Sequence, residues 1–220
     1  MAEPLSLPEL LDPKRAALIV IDMQNDFCHP EGSLPKHHGL AVAASHAILP
    51  KLHELATAAR SAGVPVIYTQ MMNDPRTQSP AFLGRKAVFG RPPICRTGSW
   101  GAELWGVEPE PDDIRVVKHR HSAFHGTDLD LRLRSLRRDA VVLTGVNTNV
   151  CVESTARDAC ALDYWTLVVA DATAAYTPEE HLAALRNIDR YFGLVVNSDQ
   201  VLRVWHERAT QRHLDAPQGV

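Results

Sequence analysis

Asp22, Lys118 and Cys151 lie far apart along the chain, yet their types make one chemical set. A thiolate attacks a carbonyl carbon, a carboxylate moves the proton, and an ammonium steadies negative charge. Cys151 follows the turn Thr144-Gly-Val-Asn-Thr-Asn-Val150, which leads into a helix starting near residue 149 or 150. The unpaired N–H groups and the dipole of a helix start favour a thiolate, and a nearby lysine adds to the effect. The sequence therefore predicts a thiol pKa well below the free value of ~8.5. The same N–H groups are placed to hold a developing oxyanion. Each residue also has an ordinary explanation. An Asp at a strand end often makes a turn or a cap. A Lys there is commonly a solvated edge residue, and a Cys in an apolar helix is commonly small core packing. The functional reading rests on their convergence.

That convergence depends on the elements between them. Residues 16–21 form a continuous apolar run, as in a strand buried on both faces. Further strands are expected at 64–68, 114–117, 140–143, 166–169 and 193–196. Helices are expected at 40–62, 128–138, 150–163 and 178–191, the last opened by Thr177 and Pro178. Alternating strands and helices imply a mostly parallel sheet with both faces covered. Ligands in such folds bind beyond the carboxyl ends of the strands. Asp22, Lys118 and Cys151 each follow a strand, so all three fall at that edge. Residues 1–15 read as a poorly ordered extension, 16–205 as one domain, 71–113 as an irregular insertion within it, and 206–220 as a tail.

The bulk properties set limits. The chain has 220 residues, 45% of them hydrophobic, with a formal net charge of −3 and a pI near 6.4. Nucleic acid and membrane are not the expected partners. No targeting segment is read at the start, so a cytoplasmic location is expected. The four cysteines, Cys28, Cys95, Cys151 and Cys160, form no CxxC pair and are expected to be reduced. No GxGxxG follows a strand, so a dinucleotide enzyme is disfavoured and no cofactor is expected.

At these residues the chain resembles the isochorismatase-like cysteine hydrolases, and most closely their amidohydrolase branch. The resembling segments are residues 17–27, 117–124, 143–159 and 171–173. The resemblance implies a three-layer α/β/α sandwich with a six-stranded parallel sheet of order 3-2-1-4-5-6. It implies a catalytic triad of Asp22, Lys118 and Cys151. It also implies a cis peptide at Val146–Asn147 and an oxyanion hole from the N–H groups of Asn147 and Cys151. The family commonly has a small residue at position 147, so Asn147 is a departure that shapes the pocket. A homodimer or homotetramer is implied as well.

Residues 69–75, Thr-Gln-Met-Met-Asn-Asp-Pro, lack the histidines of the nicotinamidase metal site, so no metal is expected. The eleven histidines, His119 and His121 among them, show no convincing ligand spacing. Isochorismatases proper lack the nucleophilic cysteine. The expected substrate is thus a small amide or ureido compound. The alternatives are an isochorismatase-type or nicotinamidase-type hydrolase, or a silent binding subunit. For the pocket, Gln24, Phe27, Phe124 and Asn147 are the chosen candidates, with Asn25, Trp100 and Trp105 beside them. A substrate carboxylate would call for Arg85, Arg91, Arg96 or Arg120, among which the sequence does not choose. Glu153 and Arg157 read as a structural i, i+4 pair.

Overall fold

A computed structural model describes residues 5–90 and 92–215, without the side chains of 213 and 215. The strands are β1 (Ala16–Ile21), β2 (Val66–Met71), β3 (Ile114–Lys118), β4 (Ala140–Val146), β5 (Trp165–Ala174) and β6 (Leu194–Val196). The helices are α1 (Leu7–Leu10), α2 (Asn25–Cys28), α3 (Ser33–His38), α4 (Ala43–Ala47), α5 (Leu49–Ala62), α6 (Pro80–Val88), α7 (Leu129–Ser135), α8 (Glu153–Ala161), α9 (Pro178–Tyr191) and α10 (Ser198–Asp215).

The six strands run in the order β3-β2-β1-β4-β5-β6, every neighbouring pair parallel. Helices α5 and α10 pack together on the sheet, while α8 and α9 pack together and on β5. All six side chains of β1 are buried, as a strand between two helical layers requires. Each Leu, Ile or Val fully buried there contributes about 1.5–3 kcal/mol of transfer free energy.

Local signals explain the boundaries. Thr177 caps α9 by accepting from the Glu180 N–H, and Pro178 takes the first helical position. Gly63 ends α5 in the left-handed conformation, φ 82°. Gly145, φ 94°, is required by crowding as well, because a Cβ there would lie 2.2 Å from the Ile21 carbonyl oxygen.

Several expectations are corrected. Residues 5–15 are packed, not loose. Ser6 and Glu9 form a capping box for α1, and Leu10 and Leu11 are buried. Of the expected tail, residues 206–215 continue α10, while 216–220, like residues 1–4 of the expected extension, lie outside the described residues. Trp205, on that helix, is fully buried and donates its indole N–H to the Leu11 carbonyl at 3.0 Å, closing the two ends of the fold onto each other. The insertion 71–113 contains α6, capped by Ser79 through the Phe82 N–H. β2 starts after Pro65 and runs on to Met71, through polar residues that are buried.

Candidate active site

Register brings the first two groups together. Ile21 pairs with Thr69 on β2 and with Gly145 on β4, so Asp22 leaves β1 between those two strands. Asp22 has φ 49°, a left-handed conformation that Asp tolerates better than most residues. Its carboxylate is wholly buried. Lys118 ends β3, two strands away, opposite Met71. Its long side chain crosses β2, and its ammonium lies 2.7 Å from Asp22 Oδ2, both side chains at 0% exposure. Lys118 Nζ also donates to the carbonyls of Arg120 at 3.0 Å and His121 at 2.8 Å. The Thr69 hydroxyl donates to Asp22 Oδ1 at 2.8 Å. Oδ2 accepts no well-aligned hydrogen bond besides the close ammonium.

Cys151 lies in a π turn, Thr148–Val152, that leads into α8. The peptide bond Val146–Asn147, at the end of β4, is cis. The turn is held from three sides. The Val150 and Val152 N–H groups donate to the Asn147 carbonyl. Thr148 Oγ1 lies 2.9 Å from His181 Nδ1 on α9. Thr155 Oγ1 donates to the Cys151 carbonyl at 2.7 Å and accepts from the Ala123 N–H at 3.0 Å, tying α8 to the loop after β3.

The structure thus brings Asp22, Lys118 and Cys151 together. Burial pushes the Cys151 thiol up to about 12, with the Lys118 ammonium pulling the other way. This corrects the expected acidic thiol, since dehydration outweighs the favourable charge and the resting sulfur keeps its proton. Burial works against the charge on Lys118, but the Asp22 carboxylate beside it favours the ammonium, and the pKa lies above the ordinary value.

A cavity of about 800 Å³ opens over the sulfur. Phe27, Asn147, Tyr176 and His121 line it. The Tyr176 hydroxyl donates to the Phe27 carbonyl at 2.9 Å. Apolar side chains such as Leu34, Leu40, Phe82, Phe89 and Ile94 form much of the wall.

Gln24 and Phe124 are not where the sequence placed them. Gln24 is fully buried, and its amide is consumed by the backbone. It donates to the Met71 carbonyl at 3.0 Å and the Ala102 carbonyl at 2.8 Å, and accepts from the Met71 N–H at 2.8 Å. It ties β1 to β2 and the insertion, and leaves nothing for a substrate. Phe124 is buried away from the cavity against Tyr164, ring centroids 5.4 Å apart. Asn25 donates to the Trp100 carbonyl, a loop-holding bond. Trp105 stacks on His46, and Trp100 lies edge-on to His29. Of the arginines, Arg85 lines the cavity together with Lys86. Arg96 lines a shallower pocket near Asp26, and Arg120 binds the Thr77 and His119 carbonyls. Arg91 lies outside the described residues. Glu153 and Arg157 pair at 2.7 Å. Sequence reasoning missed Thr69 and His121, whose places depend on strand register and on the loop after Lys118. Among the described residues, no group of three or more His, Cys, Asp and Glu is arranged to hold a metal ion.

A doubly wound parallel sheet carrying these groups at its carboxyl edge makes the molecule a three-layer α/β/α sandwich with a polar site at the strand ends. Residues 16–200 match the isochorismatase domain. The ureidoacrylate amidohydrolase of Methylobacterium radiotolerans is 39% identical over 203 residues, 86% of this chain and 78% of that protein. Among solved structures, a cysteine hydrolase from Pseudomonas syringae pv. phaseolicola aligns with TM-score 0.80 and 30% identity, covering 94% of this chain and all of that one. The N-carbamoylsarcosine amidase of Thermoplasma acidophilum aligns with TM-score 0.69 and 31% identity, covering 84% and 97%. The chain belongs to the isochorismatase family, in its amidohydrolase branch, and is a hydrolase of C–N bonds. No described helix is long and apolar enough to cross a membrane.

Proposed function

We propose that the chain is a cysteine-dependent amidohydrolase that cleaves a small ureido, N-carbamoyl or carboxamide compound through a thioester at Cys151. The observation that carries this is the buried ion pair of Asp22 and Lys118 beneath a thiol at the cavity wall. Asp22 Oδ2 is the carboxylate oxygen left to take the thiol proton as the sulfur attacks. Lys118 offsets the charge. The N–H groups of Asn147 and Cys151 receive the oxyanion. Asp22 then passes the proton to the leaving nitrogen, the C–N bond breaks, and ammonia or an amine departs. Water hydrolyses the thioester in a second step.

The cavity wall indicates the kind of substrate. Its volume lies in the upper part of the ~300–1,000 Å³ range of small-molecule sites. Arg85 and Lys86 are its cations and suit a carboxylate. The apolar wall suits a short hydrocarbon body between that carboxylate and the amide. Ureidoacrylate, the substrate in the name of the M. radiotolerans relative, has this plan.

Ammonia release from a panel of ureidoacrylate, N-carbamoyl amino acids, biuret, maleamate and simple carboxamides tests this. Turnover of a carboxylate-bearing member supports the reading, and no release from any member overturns it.

A further inference from the structure

We infer that His121 is a catalytic residue of the second step: its imidazole takes the proton from the water that hydrolyses the thioester and returns it to the Cys151 sulfur. This rests on the cysteine reading above and adds a residue to it.

Three observations carry it. First, His121 Nδ1 lies 4.0 Å from Cys151 Sγ, within contact of the reacting atom. Second, water must come from the cavity, and His121 lines that cavity, whereas Asp22 does not. Asp22 is at 0% exposure, with one oxygen held by Thr69 and the other against Lys118. Third, the loop that carries the ring is tied down on both sides of it. The His121 carbonyl accepts from Lys118 Nζ at 2.8 Å. Two residues on, the Ala123 N–H is bound to Thr155 Oγ1, which itself donates to the Cys151 carbonyl. The loop carrying the imidazole and the turn carrying the sulfur are therefore linked on both sides of His121. A general base is effective only within hydrogen-bond reach of the proton it takes, and these links hold that reach.

The step balances. Water oxygen bonds to the acyl carbon as one water proton passes to the imidazole. The C–S bond then breaks, the sulfur leaves with its electron pair, and the imidazolium gives its proton to it. A carboxylic acid, or a carbamic acid for a ureido substrate, departs, and the neutral thiol and neutral imidazole are restored.

The test is rapid acid quench of the parent, His121→Phe and His121→Gln, each with the fastest substrate of the panel, beginning with ureidoacrylate. Released ammonia or amine and mass added at Cys151 are followed in time. The expected result for both variants is a first phase of about one equivalent per site at nearly the parent rate. A second phase slower by about 10²–10⁴-fold should follow, with the acyl adduct standing on Cys151. Added hydroxylamine, a nucleophile that needs no base, should discharge the adduct and restore turnover. Turnover within about threefold of the parent would remove His121 from the mechanism, as would a loss confined to the first phase with no adduct. Cys151→Ala, run alongside, separates the two levels. If it turns over like the parent, or if the parent turns over nothing, the cysteine reading itself falls. If it is inert and the histidine variants show no slowed second phase, only the role of His121 falls.

Discussion

The Lys118 ammonium and the Asp22 carboxylate meet at 2.7 Å with neither side chain open to solvent, although β3 and β1 are separated by β2. A buried pair of this kind is a poor source of stability but a costly thing to halve. Asp22→Asn or Lys118→Met alone should leave an uncompensated charge and cost about 3–5 kcal/mol of stability. The double variant should regain much of that loss while turnover stays several powers of ten down. Urea melts and kcat on all three variants check this. A double variant no more stable than the singles would contradict the ion-pair account.

Thr69 holds Asp22 Oδ1 through its hydroxyl. Thr69→Val keeps the shape and removes that bond. A hydrogen bond to a charged group contributes about 1.5–3 kcal/mol, so a loss of roughly tenfold to a hundredfold in kcat is expected, with KM little changed. Thr69→Ser should restore most of it. Equal rates in Thr69→Val and the parent would show that the carboxylate is positioned without it.

Gln24→Ala should behave as a packing and hydrogen-bond defect rather than a binding defect. Its removal takes the buried Gln24 partner from the Met71 N–H and the Met71 carbonyl, while the Ala102 carbonyl keeps the Gln70 amide at 3.2 Å. A stability loss of about 1–3 kcal/mol per abandoned group is the scale, and the folded fraction should keep the parent KM. A large rise in KM with unchanged stability would return Gln24 to the substrate pocket.

The buried thiols predict an alkaline weakness. Burial raises both Cys28 and Cys151 from the ordinary 9.0 to about 12. Below 9 the native and unfolded chains both hold these protons. Between 9 and 12 the unfolded chain loses them while the native chain does not, so stability falls as pH rises through that window. Cys28→Ala should make the decline from pH 9 shallower than in the parent, as read from denaturant midpoints at stepped pH. An identical slope would mean that Cys28 does not carry a raised pKa.

Much of this fold was legible because its strands declare themselves. Residues 16–21 and 140–143 are apolar throughout, and Thr177-Pro178 and Gly63 are strong local signals. What stayed hidden needed tertiary partners. Trp205 makes sense only once Leu11 and α10 meet, whereas the Ser6–Glu9 box is a local signal that was passed over. α10 is largely polar outside Val201, Leu202, Val204 and Trp205, so its helical stripe is short. At the site, Asp22, Lys118 and Cys151 were visible as chemically apt residues at strand ends. Gln24 was misread because a polar side chain beside a candidate carboxylate looks like a binder until its backbone partners are seen. Thr69 required the β1–β2 register, and His121 required the path of a loop. The thiol pKa was misjudged in sign because helix start and lysine are legible in a sequence, and the depth of burial is not.

The central claim is that the sulfur at position 151 is the nucleophile. The most direct measurement is turnover of Cys151→Ala on the panel substrate that the parent cleaves fastest, with a thermal melt alongside. Turnover should drop by at least about four powers of ten, while the melting temperature stays within a few degrees of the parent. A folded Cys151→Ala protein that retains turnover within about tenfold of the parent would contradict the account.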